Sequence, residues 1–235
     1  CLQQLIKNNY MINNYDSAET CLLKGSANSK KQESTSLTGK KGTLVSFMTV
    51  FLMLFSFVFV QGQTTLISPT GDGGFENGAT FAANGWTTVN PATDTWQVGN
   101  VPVSSNGVNC AYVSANGGAA WTYSQLSVFN HVYRDVTIPA GENKVTLTFK
   151  WKVGGEGTTT SDWDNLKVFL SPTSFTPTAT AAVSGARQLI GPGATSGMYK
   201  LSSASWNTET IVFSATPGTY RLIFQWKSDG STIVN

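Results

Sequence analysis

His131 is the one histidine in the 235-residue chain, so acid–base catalysis near neutral pH would have a single imidazole to work with. It stands in His131-Val132-Tyr133-Arg134-Asp135, an alternating stretch that reads as a strand. Four residues of strand span about 13 Å, so Asp135 cannot hydrogen-bond the ring. No Gly-x-Ser-x-Gly elbow offers a nucleophile. The expectation is a structural histidine and a non-catalytic domain.

The acids suggest other chemistry. Asp162 and Asp164 are two apart and would share one face of a strand, with Glu156 in the loop before them. A glycosidase needs two carboxylates held across a cleft, which so short a spacing does not offer; the three read as loop acids. Asp72 and Glu76 flank Gly73-Gly74, and Gly-rich turns can add backbone carbonyls to carboxylates, as Ca2+ requires. These two are the expected ligands of a structural calcium. Seven Trp lie at positions 86, 96, 121, 151, 163, 206 and 226. Trp163 and Trp121, near turns, are the expected ligand-binding platform for a sugar ring. The remaining tryptophans are expected to serve the core. Phosphate loops, zinc-ligand spacing and basic aromatic patterns for single-stranded nucleic acid are missing from the sequence.

Strands must position these groups. Lys144–Val153 alternates strictly, with Val145, Leu147, Phe149, Trp151 and Val153 on one face, the pattern of a half-buried antiparallel strand. Tyr220–Lys227 repeats it, and the shared Leu-x-Phe-x-Trp-Lys predicts two equivalent strands that each supply a Trp to one core. Weaker strands are expected at Thr95–Gly99, Cys110–Ser114, His131–Ile138, Leu166–Ser171 and Thr208–Ser214. Gly-, Asn- and Pro-rich turns separate them. Strands without intervening helices predict an all-β antiparallel sandwich of jelly-roll type.

Leu44–Val60 is a 17-residue apolar block, preceded by Lys40-Lys41 and followed by Gln61-Gly62-Gln63. These are the parts of a secretory signal peptide, with cleavage expected before Gln63. Residues 1–39 read as a disordered or miscalled leader, with a start expected near Met11; 40–62 are the signal peptide and 63–235 the folded domain. That domain carries nine basic and ten acidic residues, so neither nucleic acid nor an anionic membrane is an expected partner. Membrane contact is expected through the signal segment alone, and the destination is extracellular or cell-surface. Cys110 is the only cysteine after residue 62 and reads as a buried structural thiol.

Several motifs come in a telling order: Gly71-Asp72-Gly73-Gly74-Phe75-Glu76-Asn77-Gly78, Asn84-Gly85-Trp86, Trp96-Gln97-Val98-Gly99, Ala111-Tyr112-Val113-Ser114, Asp164-Asn165-Leu166-Lys167-Val168, and Phe224-Gln225-Trp226-Lys227-Ser228-Asp229-Gly230. Together they resemble the MAM-like, choice-of-anchor jelly-roll domains of large Bacteroidetes proteins exported by type IX secretion. The resemblance spans 66–235. It implies adhesion or ligand binding, with a polysaccharide or cell-surface glycan as ligand class, within a larger surface protein. It also implies a calcium between the opening Glu and an Asp of a closing strand, and that strand is expected to be missing after Asn235. An accessory domain of a secreted peptidase or glycoside hydrolase, or a structural spacer, are the other readings.

Overall fold

The computed structural model describes residues 2–7, 64–101, 103–201 and 205–231. These contain eleven strands: β1 (Leu2–Lys7), β2 (Thr65–Ile67), β3 (Thr87–Val89), β4 (Thr95–Gly99), β5 (Cys110–Ser114), β6 (Ser127–Ile138), β7 (Lys144–Trp151), β8 (Asn165–Pro172), β9 (Arg187–Gln188), β10 (Asn207–Ser214) and β11 (Gly218–Asp229). No α-helix occurs among the described residues; one 3-10 turn spans Ala82–Asn84. The described residues are therefore all-β, in antiparallel sheets. The five expected weaker strands and both alternating ones lie where their periodicity places them.

One sheet runs β3-β6-β11-β8-β9. Its spine is β6 against β11, paired without a break from Gly218↔Ile138 to Asp229↔Ser127. The other sheet consists of two ribbons, β10-β7 and β5-β4, with β1 in the lane between them and β2 paired to β1. The leader, read from sequence as disordered, thus contributes a strand at Leu2–Lys7. Periodicity could not find it, because Leu2-Gln3-Gln4-Leu5-Ile6-Lys7 does not alternate. The signal segment at 40–62 lies outside the described residues, as does the chain after Ser231.

The two echoing strands fall in different sheets and meet across the core. Phe149 of β7 and Phe224 of β11 are in edge-to-face contact, with centroids 5.4 Å apart and planes at 80°. Trp151 and Trp226 are buried on the same inner faces, as alternation requires. Phe75, fully buried beside Phe81 and Trp86, plugs this core from the opening turn. It does so with φ +62°, a left-handed conformation that costs a non-Gly residue about 1–2 kcal/mol. Its burial offsets that strain.

Candidate functional site

Three acids converge where the loop after β7 meets the ends of β8 and β11. Glu156 lies in the connection that leaves β7, Asp164 directly precedes β8, and Asp229 ends β11. β8 and β11 are neighbours, with Lys227 opposite Asn165, so the sheet register brings Asp164 and Asp229 together. The loop after β7 then folds back onto them. A Cβ on Gly155 would stand 2.9 Å from the Asp164 Cβ, so glycine there allows the loop to close on the acid. One ligand atom from each carboxylate lies within 4.8 Å of the others, and this group could hold a metal ion.

Asp164 is the hub. Its Oδ2 accepts the Tyr123 hydroxyl at 2.7 Å and the Glu156 N–H at 3.1 Å, while Oδ1 accepts the Asp229 N–H at 3.3 Å. Burial raises its pKa, and the neighbouring Asp229 charge adds to this, against the lowering effect of those hydrogen bonds. Ser231 donates from its hydroxyl to Glu156 Oε1, and from hydroxyl and N–H to Asp229 Oδ1 at 3.0 Å. Carboxylate and hydroxyl oxygens are hard donors, suited to Ca2+ or Mg2+ rather than to a soft transition metal.

Asp162 has a different role from Asp164 two residues on. It pairs with Lys167 at 3.3 Å and Lys227 at 3.6 Å. Partial burial pushes its pKa up, but the two lysines outweigh that and hold it below the usual range.

Asp72 and Glu76 stand elsewhere. Asp72 accepts the Ser68 N–H and pairs with Arg134 at 2.7 Å. Glu76 Oε1 accepts the N–H groups of Val108 and Asn109 at 2.8 and 2.9 Å. Both carboxylates thus staple the opening turn to the rest of the fold, and neither belongs to the acid group above. Sequence reasoning noted Glu156 and Asp164 but did not join them to Asp229, 65 residues further on. The signal was present in Asp229-Gly230-Ser231, an acid at a strand end followed by a glycine with φ +93°.

Trp121 is half-buried, with Lys152 Nζ 4.9 Å from its ring centroid. It lines a cleft of about 40 Å3 with Trp96, Tyr123, Lys152 and Trp226. The indole N–H groups of Trp96 and Trp226 are buried with no hydrogen-bond partner among the described residues. Tyr123 links this cleft to the acid group, since its hydroxyl binds Asp164. Trp163 does not line the cleft; it is 45 % exposed in the loop that carries Glu156 and Asp164. Compared with known proteins, the chain matches no family model, no curated protein and no solved structure.

His131 is fully buried on β6, its Nε2 3.4 Å from Gln225 Oε1. Asp135 is instead engaged by the Arg221 guanidinium at 2.8 and 3.1 Å. Cys110 is fully buried, and desolvation pushes its thiol up to about 11. It is a structural thiol.

Proposed function

We propose that this chain is an exported, non-catalytic β-sandwich of jelly-roll type that binds a ligand, with carbohydrate the favoured class, at a calcium-organised end of the fold. The observation that carries the reading is the 154–164 loop. It presents an exposed indole, Trp163, next to two carboxylates of the group that could hold a metal ion. A divalent cation there would offset two of the three carboxylate charges and fix the loop from which Trp163 projects.

The adjoining aromatic cleft supports the same reading. A space of about 40 Å3 is far smaller than the roughly 300–1,000 Å3 of an engulfing small-molecule pocket. It suits a ligand that lies across the surface, stacks on Trp121 and meets the Lys152 ammonium. Calcium is preferred over Mg2+ because it takes more oxygen ligands in a flexible geometry, which a loop can supply, whereas Mg2+ demands a near-ideal octahedron.

The test has two parts. Saturating Ca2+ at about 100 Kd adds about 2.7 kcal/mol, so melting should rise by about 5–10 °C over chelator for a domain of this size. Asp229→Asn should abolish that rise. Trp163→Ala and Trp121→Ala should each weaken retention on a polysaccharide panel at least tenfold with little change in melting temperature. Equal melts in calcium and chelator would remove the metal; loss of fold in both Trp variants would remove the platform.

A further inference from the structure

At the start of β8 a buried amide, Asn165, stands between two lysines. Leu166 points into the core, so Asn165 points away from it. On β11, Lys227 lies directly opposite Asn165. On the other flank Leu166 and Tyr199 form an antiparallel bridge, exchanging both N–H···O bonds at 2.9 Å. The next pair along that register is Asn165 and Lys200. Residues directly opposite share a face, with Cβ atoms about 4.5–5.5 Å apart. Asn165 is fully buried and Lys200 is 3 % exposed, so the two side chains meet away from water.

Their polar atoms are unequally bonded. Asn165 Nδ2 donates to Asp162 Oδ1 at 2.8 Å and to the Trp163 carbonyl at 3.4 Å. Its Oδ1 is buried without a partner among the described residues, so the amide is held through its nitrogen alone. Lys200 Nζ donates to the carbonyl of Ser161, the neighbour of Asp162 in the chain. Among the described residues it forms no ion pair, because the Asp162 carboxylate is shared by Lys167 and Lys227. Burial lowers the Lys200 pKa; Asp162 opposes that shift and Lys167 adds to it. A desolvated lysine of lowered pKa is a nucleophilic amine. Lys227, ion-paired to Asp162, is the less suited of the two.

We propose that Lys200 and Asn165 are the partners of an intramolecular amide crosslink. The neutral Lys200 amine attacks Asn165 Cγ, a Cγ–Nζ bond forms, and the Cγ–Nδ2 bond breaks with release of ammonia. Asp162, hydrogen-bonded to Nδ2, takes the proton lost by Nζ and returns it to the departing nitrogen. The exchange is redox-neutral and needs no co-reactant. Burial excludes the water that would compete by hydrolysing the amide. The fixed register turns an encounter of two groups into a step within one fold. The bond would tie the segment after β9 to the start of β8, in a fold whose described cysteine, Cys110, is free. It does not depend on metal or glycan binding.

The experiment is intact-mass measurement and tryptic mapping of the full, folded chain. A crosslinked chain is lighter by one ammonia, about 17 Da. After denaturation trypsin should fail to cut at Lys200, and Val153–Lys167 should emerge joined to Gln188–Arg221. Lys200→Arg should restore the full mass and separate the peptides. Asp162→Ala should slow ammonia loss at least about tenfold. Chain held unfolded in urea should keep its ammonia. A folded, unaltered chain of full mass with Val153–Lys167 free would overturn the proposal, as would a crosslink through Lys227. The deciding readout is taken on the unaltered chain, so it stands even where a variant fails to fold.

Discussion

Burial and partner charge act in opposite directions on side chains that lie close together. Asp162 is exposed between two lysines and its pKa is lowered; Asp164 is buried beside Asp229 and its pKa is raised. A cation at Asp164 must displace any proton held there, so calcium should stabilise the protein more at pH 7 than at pH 5. His131 works the other way. Burial holds its pKa near 4, below the unfolded value of 6.5, despite the opposing Gln225 contact. The ring is neutral in the fold, so its contribution is complete above pH 6.5 and is lost as pH falls toward 4. The loss is on the order of 3 kcal/mol. Chemical denaturation between pH 7 and 4 should show that slope, and His131→Gln should flatten it.

At the scale of elements, the opening turn and β6 are joined by Asp72 and Arg134. Arg134 also lies over Trp86, 5.4 Å from its ring centroid. Asp72→Ala should cost about 1–2 kcal/mol, because the Ser68 N–H loses its acceptor and Arg134 its ion pair. The same variant should keep the full calcium-induced rise in melting temperature. That result separates a stapling role from a ligand role; a lost rise would return Asp72 to the metal site. The strands themselves were legible to different degrees. β7 and β11 announce themselves because eight to twelve residues give period two room to repeat. β3 has three residues and β9 two, too few for any period. They exist because longer neighbours, β6 and β8, offer them edges.

At the scale of the whole fold, the described buried apolar residues form one core shared by both sheets. Phe149 and Phe224 are nearly or fully buried and touch each other, so truncating either to Ala should cost about 3–5 kcal/mol in urea unfolding. A double-mutant cycle should return a coupling of about 0.5–1.5 kcal/mol. Additive losses would mean that the two sheets do not meet there.

The sequence by itself determined the all-β antiparallel class, the main strands, the inward Trp151 and Trp226 and the buried thiol. Each depends on local alternation or on composition, and local patterns survive in one dimension. Only the tertiary structure decided which acids share a site and which strand fills the lane beside β7. Asp229 joins Glu156 and Asp164 through the register of β11 on β8 and the return of the 154–164 loop. Asp72 and Glu76 looked equally suited by spacing, yet they meet backbone N–H groups and Arg134. Convergence of carboxylates is a property of pairing between distant segments, and no spacing along the chain encodes it.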